Sequence, residues 1–216
     1  MAYLPLTTNG RTIGCLIVAS RHPNAYSRRQ VALLEELAPQ ITMPVEHSQL
    51  YAEVEEEARI DKLTGLFNRR SFDEVMTSEI SRYSRYGGIF SLIIADLDSL
   101  GTVNDTYGHL AGDEALRQIG SVIRKATRTS DRAFRYGGDE FAILLPNTSI
   151  DAANRVAERI RQQIASKMIA DQTPVTASLG LASWPANGTG ADEVIAAADA
   201  ALYHAKRSGG NQSHVL

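Results

Sequence analysis

From Asp61 onward the apolar positions follow two periods. Phe72, Val75, Met76, Ile80 and Tyr83 recur at three- and four-residue steps, so Ser71–Tyr86 is predicted to be an amphipathic helix. Phe90–Leu97 is an unbroken apolar run of strand length that ends in Asp96-Leu97-Asp98, as expected of a strand covered on both faces. Helical spacing returns in Leu110–Lys125, with Leu116, Ile119 and Ile123 inward, and in Ile150–Met168, with Val156, Ile160 and Ile164 at four-residue steps. Between them, Arg132–Tyr136 and Phe141–Leu145 flank Gly137-Gly138, a turn pair, and read as a β-hairpin. Val175–Ala182 is a further strand and Ala191–Lys206 an Ala-rich final helix. The order β-α-β-β-α-β with flanking helices predicts an α+β, ferredoxin-like sandwich with a central antiparallel sheet, one face of which is left open near the central strand ends.

The first sixty residues carry a different pattern. Residues 1–22 read as strand, turn, strand about Asn9-Gly10, too little to bury a core alone, and hence as the end of a larger domain. Ser27-Arg28-Arg29-Gln30 has the form of a capping box, and Leu34, Leu37, Ile41, Val45 and Tyr51 follow at helical spacing. Pro39 and Pro44 are expected to kink or break that helix. The boundaries expected are therefore 1–26, the remnant of a larger domain; 27–60, a linker helix; and 61–216, the principal domain. The linker pattern suits a surface helix and a short parallel coiled coil equally.

Composition narrows the function classes. A chain with 22 Lys+Arg against 25 Asp+Glu, net charge −3, does not have the basic excess of a protein that coats nucleic acid, so no nucleic-acid partner is expected. The single Cys15 excludes an intramolecular disulfide and suits a reducing, cytoplasmic setting. No apolar run approaches membrane-spanning length, and Met1–Leu6 lacks the features of a signal peptide.

Candidate chemistry concentrates at three places. Asp139 and Glu140 follow a glycine pair whose bare backbone admits a phosphate. Asp96 and Asp98, two apart at a strand end, share one face, and carboxylates converging there could hold Mg²⁺ or Mn²⁺; turn-making after the strand is the alternative. Asn104, His109 and Asp113 fall in a loop and at the start of a helix. Asn and Asp together can read a guanine edge, while Asp113 could instead serve the helix N-terminus. Arg128-Thr129-Ser130-Asp131 could grip guanine through a bidentate Arg, or form a surface pair.

Several motifs in fixed order carry a resemblance over about residues 59–216. They are Asp61-Lys-Leu-Thr-Gly-Leu-Phe-Asn-Arg-Arg70, Asp96-Leu-Asp98, Asn104-Asp-Thr-Tyr-Gly-His109, Gly112-Asp113, Arg135-Tyr-Gly-Gly-Asp-Glu-Phe141 and Ala198-Asp-Ala-Ala-Leu-Tyr-His-Ala-Lys206. This stretch resembles the GGDEF family of diguanylate cyclases, which condense two GTP into cyclic di-GMP. The resemblance implies a fold akin to nucleotide cyclases and polymerase palms, a homodimer of half-sites, and two Mg²⁺ or Mn²⁺ per GTP. It implies that Asp96 and Asp139 hold metal with the Leu97 carbonyl, that Asp139 helps activate the attacking 3′-hydroxyl, and that Glu140 tunes the site. Gly137 and Gly138 would admit the phosphates, Asn104, His109 and Asp113 would receive guanine, and Lys206 would support the triphosphate. Arg128 and Asp131 would bind cyclic di-GMP as an inhibitory product. The first part of the chain, with Ala19-Ser20-Arg21 through Leu50 fitting loosely, resembles the end of a GAF sensory domain and its exit helix.

Two positions depart from the family pattern. Leu100-Gly101 stands where Phe-Lys is usual, and Gly209-Gly210-Asn211 where Gly-Arg-Asn is usual. Both missing residues are cations expected to hold the triphosphate, and each charge-assisted hydrogen bond is worth about 1.5–3 kcal/mol. The expectation is a working, slower cyclase. The alternative is a weak or inactive domain that serves as a receptor for cyclic di-GMP or GTP.

Overall fold

The computed structural model describes residues 1–8, 10–22, 25–57, 59–98, 100–169 and 173–216. The chain divides into two compact units, Met1–Ala58 and Arg59–Leu216. In the first, strands β1 (Ala2–Thr8) and β2 (Arg11–Val18) pair antiparallel, with Thr8 opposite Arg11. Gly10 has φ 78°, the left-handed conformation that the turn requires; Asn9 lies outside the described residues. Helix α1 (Arg28–Glu57) packs on β1, burying Leu4, Leu6, Ala38 and Thr42. The capping box forms as expected: Gln30 N–H donates to Ser27 Oγ at 3.3 Å, and Ser27 N–H to Gln30 Oε1 at 2.9 Å. The expected break at the prolines does not occur, for α1 is continuous through Pro39 and Pro44. Both prolines are exposed, as are Glu35 and Gln40, so water can satisfy the carbonyls that lose their amide partners.

The second unit is built on a five-stranded sheet. In chain order it comprises α2 (Arg69–Tyr86), β3 (Phe90–Leu97), α3 (Leu100–Tyr107), α4 (His109–Ala126), β4 (Arg132–Arg135), β5 (Glu140–Pro146), α5 (Ile150–Ala165), a small hairpin β6 (Met168–Ile169) and β7 (Thr173–Pro174), β8 (Ala177–Trp184), α6 (Ala191–Arg207) and β9 (Ser213–Val215). The sheet order is β4-β5-β3-β8-β9. Its first four strands pair antiparallel, which is the ferredoxin-like arrangement, and β9 adds in parallel to β8. The long run Phe90–Leu97 is buried at every position because β3 is a central strand covered on both faces.

Alternate β3 residues feed two cores. Ile93, Ala95 and Leu97 join Leu116, Ile119 and Ile123 of α4 and Ile160 and Ile164 of α5. Phe90, Leu92 and Ile94 join Phe72 and Met76 of α2 and Val194, Ala198 and Leu202 of α6. The expected open face is therefore closed, by the two flanking helices. Gly180 makes the α6 approach possible: a Cβ there would collide with the Ala198 carbonyl oxygen and the Leu202 backbone.

Three local expectations are corrected. Residues 100–107 form a helix of their own, so Asn104 is helical rather than in a loop. α5 ends at Ala165, short of Met168, where Ser166 N–H bonds Gln162 O and Lys167 N–H bonds Ile164 O. β8 extends two residues beyond Ala182 because Ser183 and Trp184 still pair with Ser91 and Phe90.

Candidate active site

The hairpin between β4 and β5 is closed by its own backbone: Tyr136 and Gly137 both donate to Glu140 O, at 2.8 and 3.1 Å. At Gly137 a Cβ would displace the Glu140 carboxylate from its present position, whereas the backbone at Gly138 is open. Arg135 braces the turn from outside, donating to Gly138 O at 2.8 Å and to Asp61 Oδ2 at 3.2 Å. Asp61 in turn accepts from Thr64 N–H and O–H at 2.8 and 2.7 Å. Burial alone would raise the Asp61 carboxyl, but the Thr64 and Arg135 hydrogen bonds outweigh it and hold it below its ordinary value. On the α2 side, the Arg69 guanidinium carbon lies 3.9 Å from the centre of the Tyr136 ring, and Phe72 packs edge-on to that ring at 4.9 Å.

Antiparallel pairing sets Glu140 directly opposite Asp96, and Leu97 N–H reaches Asp139 O at 3.3 Å. Strand alternation places Asp96 and Glu140 on the sheet face that carries Ile94 and Ala142, under α6. There Lys206 Nζ contacts Asp96 Oδ2 at 2.6 Å, and the Asp96 side chain is only 10% exposed. Burial pushes the Asp96 carboxyl up; Asp139 and Asp98 push the same way, and Lys206 opposes without cancelling them. Glu140 is also raised, by burial first and then by Asp96, Asp139 and Asp199, with Lys206 opposing.

Asp98 has a structural task. Its carboxylate accepts from Ser178 Oγ at 2.6 Å, Thr176 Oγ1 at 2.7 Å and Asn211 N–H at 2.9 Å, tying the end of β3 to β8 and to the loop after α6.

On the opposite side of the strand end, a cleft of about 370 Å³ is lined by Gly101, Asn104, His109, Asp113, Gly138 and Asp139, among others. The three residues expected to receive guanine thus meet Gly138 and Asp139 in one cavity, whereas Gly137 and Lys206 do not line it. Gly112 admits Asn104 to it: a Cβ at that position would collide with the Asn104 amide. Arg128 and Asp131 stand apart from the cleft. They form a tight turn, with Arg128 N–H donating to Asp131 Oδ2 at 2.8 Å and Asp131 N–H to Arg128 O at 3.0 Å. Together with Arg159 they line a separate cavity of about 310 Å³. Sequence reasoning did not single out Arg159, and it quoted Arg135 within a motif without giving it a role. Asp61 and Thr64 were likewise quoted only within a motif; their turn, and its link to Arg135, emerge from the structure.

Among the described residues, no three His, Cys, Asp or Glu side chains form a ready-made cluster. The donor set nonetheless fits a hard divalent cation. Asp96 and Glu140 are raised first by burial and then by neighbouring carboxylates, Asp139 among them in both cases, and a cation would relieve that accumulation of negative charge.

The family model described as "Diguanylate cyclase, GGDEF domain" matches residues 58–212. The chain belongs to the GGDEF diguanylate cyclase family. A GAF domain model matches residues 1–46, so a GAF-like part precedes the GGDEF domain. Diguanylate cyclase DgcS of Shewanella oneidensis is 37% identical over 182 residues, covering 84% of this chain and 61% of its relative. Diguanylate cyclase DgcP of Pseudomonas aeruginosa is 36% identical over 91% of this chain and 30% of its own length. The chain therefore spans less than two thirds of these curated relatives. Among solved structures, the coiled coil and GGDEF domain of DgcB from Caulobacter crescentus, in complex with c-di-GMP, has a TM-score of 0.78 at 29% identity, covering 86% of this chain and 100% of that one. Diguanylate cyclase SiaD of Pseudomonas aeruginosa, in complex with its activator SiaC, has a TM-score of 0.72 at 34% identity, covering 87% of this chain and 74% of that one. No helix among the described residues is long and apolar enough to cross a membrane.

Proposed function

We propose that the GGDEF unit condenses two GTP molecules into cyclic di-GMP with release of two pyrophosphates. The observation that carries this reading is the convergence of Asn104, His109, Asp113, Gly138 and Asp139 on one cleft, at the end of the hairpin whose next residue, Glu140, pairs opposite Asp96. In this reading Asn104 and Asp113 hold the guanine edge, and His109 lines its pocket. The hairpin at Gly137 and Gly138 lets the triphosphate lie against the backbone. Asp96, Asp139 and the Leu97 carbonyl would hold Mg²⁺ or Mn²⁺, which when bound supplies positive charge to the phosphates. Lys206 adds a fixed positive charge beside Asp96, and Glu140 tunes the same cluster.

Each chain holds one GTP, and two chains meet as a homodimer. Asp139 orients the 3′-hydroxyl that attacks the α-phosphorus of the other GTP. A bond forms from O3′ to that phosphorus as the hydroxyl proton passes to solvent, the bond from phosphorus to the oxygen bridging to the β-phosphate breaks, and pyrophosphate leaves; the second, equivalent step closes the ring. Holding the two reactants in register supplies much of the acceleration, which makes assembly the control point. Helix α1 (Arg28–Glu57) is the element through which the GAF-like part acts on it. Arg128 and Asp131 bind the product and keep the half-sites apart.

Incubation with GTP and Mg²⁺ followed by chromatography tests this directly. Cyclic di-GMP should accumulate with the native protein and not with Asp139→Ala; equal product from both refutes the role of Asp139. A second reading is favoured by Gly101 and Gly210, which stand where the family has cations. If no cyclic product forms at any protein concentration while nucleotide still binds, the domain is a receptor.

A further inference from the structure

Two imidazoles meet away from the cleft, where α6 passes the edge strand β9. Parallel pairing sets His214 opposite Gly180 of β8. Ser213 donates to Asn154 and Glu158 of α5, both at 2.8 Å, and Val215 packs against the core on that same side. Strand alternation therefore turns His214 to the opposite face, toward α6. Because Gly180 lets α6 come close, His204 in its last turn arrives beside His214, with ring centroids 5.3 Å apart and planes inclined by 35°. Both rings are exposed, and neither hydrogen-bonds to another described residue.

We propose that His204 and His214 form a chelating pair for a borderline transition-metal ion such as Zn²⁺, Ni²⁺ or Cu²⁺. Two imidazole nitrogens about 2.0–2.1 Å from a tetrahedral ion hold their ring centroids about 5 Å apart, the spacing observed. Imidazole favours these ions over oxygen-seeking Mg²⁺, so the pair is chemically distinct from the carboxylates of the cleft. No third His, Cys, Asp or Glu joins it among the described residues, so water completes the coordination and the ion exchanges freely.

The placement gives the site a consequence. His204 and His214 bracket the stretch that carries Lys206, which contacts Asp96 at 2.6 Å, and Asn211, whose N–H bonds Asp98 at 2.9 Å. An ion clipped between the two rings closes that loop at both ends and narrows the motion of Lys206. The chelate itself does not depend on the cyclase reading; only its effect on turnover does.

The test uses the untagged whole chain in a Cys15→Ser background, because the exposed thiol would compete for the same ions. Excess Mg²⁺ is present throughout to fill oxygen sites. Calorimetric titration with Zn²⁺ should show one saturable site per chain, and the melting temperature should rise with Zn²⁺. His204→Ala and His214→Ala should each lose the site and the melting shift, and the double variant should behave like either single one. Cu²⁺ added in place of Zn²⁺ should show two equatorial nitrogens by electron paramagnetic resonance, and one in each single variant. Metal-free melting confirms that the variants are folded. No saturable site in the parent, or a site and melting shift that survive in either variant, overturns the proposal.

Discussion

Gly101→Lys should tighten nucleotide binding, and the structure says why it can. Gly101 is the second residue of α3 and lines the cleft with Asn104 and Asp139. No atom lies within 4 Å of the position its Cβ would take, and its φ is outside the left-handed region, so the side chain enters without strain or collision. Replacing a Gly by Lys stabilises a helix interior by up to about 1 kcal/mol, and less in this first turn, where the helix dipole disfavours a cation. One charge-assisted hydrogen bond to phosphate adds about 1.5–3 kcal/mol of binding, or roughly 10- to 150-fold in affinity, with the lower end expected at an open cleft. Gly210→Arg should not match it. Gly210 has φ +72°, and its Cβ would lie 3.2 Å from the Asp98 carboxylate. A left-handed conformation costs a side-chain-bearing residue about 1–2 kcal/mol, and crowding Asp98 loosens its bond to Asn211. Titration with a fluorescent, non-hydrolysable GTP analogue in Mg²⁺, beside thermal melts, measures both effects. If Gly101→Lys melts higher but binds no tighter, residue 101 does not face the phosphates and the placement of the triphosphate is refuted.

Two further predictions concern the residues that support the site. Asp61→Asn should destabilise the domain by about 1–3 kcal/mol near neutral pH, through lost hydrogen bonds to the charged Arg135 and Thr64. Because the folded-state pKa of Asp61 is depressed, its contribution is full above the unfolded carboxyl value, about 3.9, and is lost as pH falls through the folded value; denaturant melts across acidic pH should show the gap between native and variant closing there and nowhere higher. Gly112→Ala should push the Asn104 amide out of the cleft, lowering GTP affinity while the melting temperature changes little, and an unchanged affinity would remove Asn104 from the guanine site.

What the sequence disclosed follows from how local each signal was. β3, α4 and α5 were legible because their buried faces repeat over many residues, as in the fully buried Phe90–Leu97. α3 was not, because eight residues with only Leu100 and Val103 buried give too short a period to separate from a loop. The three-residue β9 carries no pattern of its own and exists because β8 offers it an edge. Amphipathicity marked α2 and Ala-richness marked α6 as helices, yet neither signal could say which sheet face they cover. In the site, Asn104, His109, Asp113 and Asp139 were named from motif order and do share one cleft. The braces were hidden: Arg135 reaches Asp61 across 74 positions of sequence, and Arg69 meets Tyr136 only once α2 has packed.

The central claim is that carboxylates at this hairpin hold a triphosphate through a divalent ion. Calorimetry with a non-hydrolysable GTP analogue tests it most directly. The account predicts one analogue bound per chain with Mg²⁺ present, and no binding heat after chelation of the ion or with Asp139→Ala. Equal affinity with and without a divalent ion would contradict it.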